Sequence, residues 1–221
     1  NGALIKQDLE IKNVPGDGGM KAIRTLIDAP PDGSVIGWAV SPSFAARSVD
    51  RQDMGVLDNI RPIGALAREP VTFVAPASAP LESITEMIER GSADRDALTL
   101  GTPPPGSPPH LAVLRMQSVA QTRLSIVTFP SAAATLAAVV AGNVGAAALP
   151  LSEAIDALRD GKLAGIGVAA RDRLVALPDL PALQEGGIRL SATIRRGLYA
   201  RAGTPDDIVA LYDDAVRAVA A

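Results

Sequence analysis

The chain has 221 residues, of which 48% are hydrophobic and 3% aromatic, and its formal net charge is −3 at pH 7. The high apolar fraction and the small charge exclude a disordered chain, and the lack of a basic excess argues against a nucleic-acid partner. The sequence has no cysteine and one histidine, which excludes disulfides, a thiolate nucleophile and a multi-histidine metal site. We expect no cofactor and no metal.

Short apolar runs alternate along the chain with segments of helical periodicity, a pattern that predicts an α/β protein with mostly parallel sheets. In chain order, the apolar runs predict strands at residues 9–14, 34–40, 71–75, 98–101, 125–129, 144–149, 166–169 and 197–200. The periodic segments predict helices that end near residues 28 and 91, helices at 110–120, 132–141 and 152–160, and a last helix that begins at Pro205.

The segment from Leu124 to Ser152 has no charged residue and is long enough to span a membrane. It also contains two prolines and two glycines, so we interpret it as a strand–helix–strand unit of a buried parallel sheet. The chain begins at Asn1 rather than Met and shows no charged and apolar leader, so we expect a processed, truncated or partly represented chain.

Two short stretches rich in small residues, 75–80 and 163–167, are candidates for crossings between two lobes. With both crossings, lobe one holds residues 1–75 and 166–221, and lobe two holds residues 76–165. A double crossing of this kind predicts a cleft between the lobes.

Three loops follow predicted strands at their carboxyl ends, where α/β proteins bind ligands. They contain Ser41 and Ser43, then Gly101 and Thr102 with Gly106 and Ser107, and then Phe129 and Ser131. In the second loop, backbone N–H groups near a helix start and two hydroxyls suit an anion. The alternative interpretation is a rigid, proline-rich connecting loop followed by a capped helix.

His110 and the pair Arg195-Arg196 each have two interpretations. No nucleophile and acid are readable around His110, so we expect a histidine that caps or packs at a helix start rather than a base. The two arginines either pair with an acidic ligand or form a solvated pair on a strand edge, and we favour the solvated pair. The sequence shows no combination of a nucleophile, a base and oxyanion donors, so we expect that the protein is not an enzyme.

Several motifs occur in an order and spacing that together resemble one family. They are KNVPGDGG at residues 12–19, PDG at 31–33, LGT at 100–102 followed by GS at 106–107 and HLA at 110–112, GKL at 161–163, LPDLP at 177–181 followed by EG at 185–186, and AGTP at 202–205. Over residues 9–218, the chain resembles the substrate-binding proteins of tripartite tricarboxylate transporters, also called the Bug family.

This resemblance implies a two-lobed periplasmic binding protein of the type II class, which holds a small organic carboxylate in its cleft with backbone amides, hydroxyls and waters. Lobe closure would deliver the ligand to membrane transporter subunits, and we expect a monomer in the periplasm. On this hypothesis, Thr102, Ser107 and nearby N–H groups hold the carboxylate, while Ser41, Ser43 and Ser131 line the opposite side or the floor. The alternative is a ligand-sensing module that presents its bound state to a membrane sensor protein.

The chain departs from the family's pattern at its binding loops. Pro104 stands where the family tends to have glycine, residues 129–132 replace Tyr-Lys-Gly-Gly, and Gly145 replaces an aspartate. The resemblance also implies that family chains begin earlier, with a strand and a glycine-rich loop, and continue past the last helix. These differences bear on the ligand more than on the fold.

Overall fold

The computed structural model describes residues 8–16, 19–41, 43, 46, 55–94 and 97–220. Contacts between Cα atoms divide the chain into two compact units. The first unit comprises Asn1–Arg68 and Arg195–Ala221, and the second comprises Glu69–Ile194.

Helices and strands alternate along the described part of the chain. In order they are α1 (Met20–Asp28), β1 (Gly37–Ser41), α2 (Gly55–Asp58), β2 (Ile60–Pro76), α3 (Ile84–Ala93), β3 (Thr99–Thr102), α4 (Pro108–Val119), β4 (Ser125–Thr128), α5 (Ala132–Val140), β5 (Ala146–Pro150), α6 (Leu151–Arg159), β6 (Leu163–Val168), β7 (Thr193–Arg201) and α7 (Asp206–Ala220). The strands β2 and β7 contribute residues to both units.

In the first unit, one face of α1 supplies the core. Met20, Ile23 and Leu26 are buried because they recur at helical spacing on that face, and they cluster with core residues of β1, α2 and β2. The strand β7 lies between β1 and β2 and pairs with β1 in antiparallel register. This register places Ser41 directly opposite Arg195.

In the second unit, β3 pairs in parallel with both β4 and β5. The β2 segment runs antiparallel to β5 and also to β6. Therefore β3, β4, β5 and β6 share one direction, and within the described part of this unit only β2 opposes them. This arrangement confirms the predicted α/β class with mostly parallel strands.

The uncharged segment forms β4, α5 and β5, as predicted. All five residues of β5 are buried, which explains its continuous apolar sequence. Within the described residues, no helix combines the length and the apolar character that a membrane crossing requires.

Most of the predicted strands and helices are confirmed to within a few residues, but two assignments need correction. Residues 9–14 form no strand; Leu9 is 65% and Ile11 88% exposed, and no described strand accepts their hydrogen bonds. The predicted strand 71–75 is only the end of the 17-residue β2. The first part of β2 contains Arg61, Pro62 and Arg68, so its sequence lacks the apolar pattern typical of a strand. It is nevertheless part of the strand because β2 pairs with neighbouring strands of the sheet.

The boundaries of the compact units differ from the predicted lobe boundaries of 75/76 and 165/166. The first boundary falls at Arg68/Glu69 and the second at Ile194/Arg195. Residues 166–194 stay with the second unit because their backbone joins β2 and β6. The Ala169 N–H donates to the Val71 carbonyl at 2.8 Å, and the Val71 N–H donates to the Ala192 carbonyl at 3.0 Å. The predicted lobe boundaries, the cleft and the closure of the two lobes stay predictions.

Candidate functional site

The carboxyl ends of β3 and β4 bring most of the predicted site residues to one edge of the second unit's sheet. The two strands are parallel neighbours with Thr102 opposite Thr128, so the loops that follow them leave the same edge. The Phe129 N–H donates to the Thr102 carbonyl at 2.8 Å, which ties the two loops together. Ser131 follows Phe129 by two residues on this edge.

Gly101 is buried where three side chains converge. A Cβ atom at this position would lie 3.1 Å from Val144, 3.3 Å from the Phe129 ring and 3.4 Å from Thr135. The glycine therefore admits the packing of Phe129 and the first turn of α5 against β3. The buried hydroxyl of Thr135 donates to the Ser131 carbonyl at 2.9 Å and fixes this turn. No sequence pattern predicts this role for Thr135.

Thr102 is completely buried, and its hydroxyl donates to the Pro103 carbonyl at 3.0 Å. Its hydroxyl proton is thus already engaged within the loop. Gly106 adopts a left-handed conformation with φ of 79°, which turns the chain toward α4. The Gly106 N–H donates to the Nδ1 atom of His110 at 3.4 Å. This contact holds the His110 ring at the start of α4, as expected.

The N-terminus of α4 keeps few backbone donors for a ligand. The Ser107 N–H donates to the Pro104 carbonyl at 3.0 Å, and the His110 N–H donates to the Ser107 hydroxyl oxygen at 3.4 Å. Pro108 and Pro109 have no N–H to offer. The predicted backbone donors of this loop are therefore engaged, and the Ser107 hydroxyl, which accepts through its oxygen, retains its own proton for donation.

The N-terminus of α5 is different because its first turn has no proline. The Ser131 hydroxyl oxygen accepts from the Ala134 N–H at 3.0 Å and caps the helix. The N–H groups of Ala132 and Ala133 precede the first intrahelical hydrogen bond. This helix start therefore combines two backbone donors with the proton of the Ser131 hydroxyl.

A third helix start in this unit already holds a carboxylate. Glu69 is 8% exposed, and its Oε2 atom accepts from the Ser152 N–H at 2.7 Å at the start of α6. An acidic side chain at this position is stabilised by the positive end of the helix dipole. No local sequence pattern predicts this contact, because the two residues are 83 positions apart.

In the first unit, Ser41 lines a cavity of about 230 Å³ together with Arg68, Arg195 and Tyr199. The Tyr199 hydroxyl is hydrogen-bonded to the Ser41 side chain. Burial raises the pKa of Tyr199, against the opposing effects of Arg195 and of the bond to Ser41, so this hydroxyl keeps its proton. Ser43 is half-buried; Pro42 and residues 44 and 45 lie outside the described residues.

The expectation of a solvated arginine pair on a strand edge needs correction. The strand β7 has β1 on one side and β2 on the other, so it is not an edge strand. Because successive side chains of a strand point to opposite faces, Arg195 and Arg196 point apart. Arg195 shares the face of Gly197 and Tyr199 and lines the cavity.

A second cavity, of about 410 Å³, lies in the second unit between the end of α6, β6 and residues 176–180. None of the predicted binding residues lines it. It is bounded by the LPDLP segment, whose leucines and proline supply an apolar wall.

Comparison with protein families gives one match that spans nearly the whole chain. The model described as "Tripartite tricarboxylate transporter family receptor" matches residues 3–221. A UPF0065 protein of Bordetella pertussis is 28% identical over 218 residues, which are 96% of this chain and 66% of that protein. A UPF0065 protein of Cupriavidus necator is 24% identical over 97% of this chain and 65% of its own length. The chain thus spans slightly less than two thirds of these relatives.

Solved structures show the same fold. MatC from Rhodopseudomonas palustris, determined with bound malate, superposes with a TM-score of 0.82 at 27% identity, over 95% of this chain and 72% of MatC. A TctC solute-binding protein from Polaromonas, determined without ligand, superposes with a TM-score of 0.78 at 22% identity, over 95% of this chain and 72% of that protein. The second likeness supports the fold alone.

Proposed function

Because the chain belongs to the tripartite tricarboxylate transporter receptor family, we propose that it captures a small organic carboxylate and presents it to a membrane transporter of the tripartite type. The observation that carries this proposal is the family match over residues 3–221, joined to the likeness to malate-bound MatC. The family is one of receptors rather than enzymes. On this proposal the protein works in the periplasm, as a monomer.

The edge formed by the carboxyl ends of β3 and β4 supplies the donors in this proposal. The hydroxyl protons of Ser107 and Ser131 are left for a ligand, because both oxygens accept from the helix that follows. The N–H groups of Ala132 and Ala133 add two backbone donors at the positive end of α5. A carboxylate accepts several hydrogen bonds, and neutral donors of this kind hold it without a buried countercharge.

The geometry shifts the proposed donors relative to the sequence prediction. Thr102 and the backbone of residues 103–107 shape the loop, since the Thr102 hydroxyl and the Gly106 and Ser107 N–H groups already have acceptors. Gly101 and Phe129 pack under it. We therefore assign direct donation to Ser107, Ser131 and the first turn of α5.

A thermal-shift screen of the chain against mono-, di- and tricarboxylates tests the proposal. A ligand at 100 times its dissociation constant stabilises the native state by about 2.7 kcal/mol, so binding raises the melting temperature. The uncharged diamides of the same acids are the matched controls and are expected to give no shift. A melting temperature that no carboxylate changes would contradict the proposal.

A further inference from the structure

The helix α5 contains a single polar residue, Thr135, and all its other residues are alanine, leucine or valine. The Thr135 side chain is completely buried. A buried hydroxyl costs free energy unless it is hydrogen-bonded, and a valine would fill the same space without that cost. Packing of the helix therefore does not account for a hydroxyl at this position.

The Thr135 hydroxyl donates to a carbonyl that already has a partner. The Ser131 carbonyl accepts from the Thr135 N–H at 3.1 Å, which is the ordinary hydrogen bond of a helix, and also from the Thr135 hydroxyl at 2.9 Å. The second bond is not needed to satisfy the carbonyl. Because a bond from a threonine hydroxyl to the carbonyl four residues earlier slightly destabilises a helix, the stability of α5 does not explain the hydroxyl either.

The Ser131 carbonyl and the Ala132 N–H belong to the same peptide unit. Because that unit is planar, a bond that fixes the direction of the carbonyl also fixes the direction of the N–H on its other side. A carbonyl that accepts two hydrogen bonds is more strongly polarised, which makes the N–H of its peptide a stronger donor. The Ala132 N–H is one of the two backbone donors at the start of α5, so the hydroxyl acts one peptide away from the proposed carboxylate site.

The Thr135 side chain is itself held against the sheet. Its methyl group lies so close to Gly101 that a Cβ atom at residue 101 would be 3.4 Å from it. Gly101 belongs to β3, which has β4 on one side and β5 on the other. The methyl group thus rests on an interior strand of the second unit while the hydroxyl holds the Ser131–Ala132 peptide, so Thr135 ties the direction of that peptide to the sheet.

We propose that Thr135 is a positioning residue of the carboxylate site, whose hydroxyl orients and polarises the Ser131–Ala132 peptide so that the Ala132 N–H donates to the ligand. The inference rests on the proposed function and adds to it a buried residue that does not touch the ligand. It has a consequence that a purely structural role does not have. Removal of the hydroxyl lowers the affinity for a carboxylate and leaves the stability of the protein unchanged or slightly higher.

Calorimetric titration with succinate, joined to melting curves of the unliganded variants, tests the proposal. Thr135→Val keeps the branched shape without the hydroxyl and is expected to weaken succinate binding about three- to tenfold with no loss of melting temperature. Thr135→Ser keeps the hydroxyl and is expected to bind succinate like the wild type. Thr25→Val is the matched control, because the Thr25 hydroxyl donates to the Lys21 carbonyl at 2.9 Å in the same way within α1. This control is expected to leave the affinity unchanged.

The amide proton of Ala132 gives a second measurement, by NMR. Succinate is expected to shift this proton downfield in the wild type and in Thr135→Ser, and to shift it less in Thr135→Val. If the wild type binds succinate and Thr135→Val binds it equally tightly, or if Thr135→Ser fails to restore the affinity, the positioning role is wrong while carboxylate capture stands. If the wild-type chain binds neither succinate nor any other carboxylate of the thermal-shift screen, both proposals fail.

Discussion

The carboxylate of Glu69 accepts a hydrogen bond from the Ser152 N–H at 2.7 Å, so an acid from the chain itself occupies the start of α6. Glu69 begins the second unit, and Ser152 lies in the first turn of that helix. The contact fastens β2 to α6 across 83 positions of sequence.

We predict that Glu69→Ala lowers the free energy of unfolding by about 1–3 kcal/mol, because it removes a buried acceptor and leaves the Ser152 N–H without one. Glu69→Gln is expected to recover part of this loss, since its amide oxygen accepts the bond without the charge. Urea denaturation measures both values. Glu89→Ala is the control, because Glu89 is exposed, and equal effects of the two alanine substitutions would contradict the role of Glu69.

Gly101→Ala is expected to destabilise the protein by about 1–3 kcal/mol, because the new methyl group presses on Val144 and Phe129 in a packed site. Gly55→Ala is the matched control, since a Cβ atom there meets nothing within 4 Å. Urea denaturation compares the two variants. A tolerated alanine at Gly101 would show that Phe129 does not pack there as described.

Ser131→Ala is expected to lose about 1 kcal/mol of stability, because α5 loses its cap, and also to weaken carboxylate binding. Ser83→Ala provides the control, since the Ser83 hydroxyl caps α3 in the same way by accepting from the Glu86 N–H at 3.1 Å. Both variants should lose similar stability, whereas only Ser131→Ala should change the dissociation constant of succinate. If Ser131→Ala binds succinate as tightly as the wild type, Ser131 only caps the helix and does not contact the ligand.

The pair Arg173 and Glu185 gives a pH-dependent prediction. The hydrogen bonds from Arg173, followed by one from the Ala182 N–H, lower the pKa of Glu185. A carboxyl with a lowered pKa adds stability above its ordinary value of about 4.3, and this contribution is lost as the pH falls through the folded value. The contribution is small because both side chains are largely exposed to solvent.

An NMR titration of the Glu185 carboxyl carbon checks this pair. The midpoint is expected below the ordinary glutamate value in the wild type and to rise toward that value in Arg173→Gln. Arg171→Gln, which removes a nearby exposed arginine, is expected to leave the midpoint unchanged. A midpoint that does not respond to Arg173→Gln would show that the contact is absent in solution.

The sequence predicts the alternation of strands and helices well because it depends on local periodicity. The strand–helix–strand unit from β4 to β5 follows from its buried, uncharged pattern alone. The prediction of a strand at residues 9–14 is wrong because it uses the local pattern alone. A strand also needs a neighbouring strand to pair with, and none of the described strands pairs with these residues. Pairing also extends β2 through a charged, proline-containing segment that no local pattern marks as a strand.

The candidate site is only partly readable in the sequence. Ser107 and Ser131 are visible as residues at strand ends, because the α/β pattern places them there. The hydrogen bond from the Thr102 hydroxyl to the Pro103 carbonyl cannot be predicted from the sequence, because it depends on how the loop turns. The cavity around Arg68 and Arg195 is equally hidden, because strand pairing joins residues more than 100 positions apart.

Native mass spectrometry of the protein purified gently from its host tests whether this chain binds a small carboxylate. We expect a second population that is heavier than the bare chain by the mass of a small organic acid and that is lost when the protein is unfolded. The heavier population should be displaced by added succinate. A chain that stays unliganded even in excess succinate and other short carboxylates would show that it is not a carboxylate receptor.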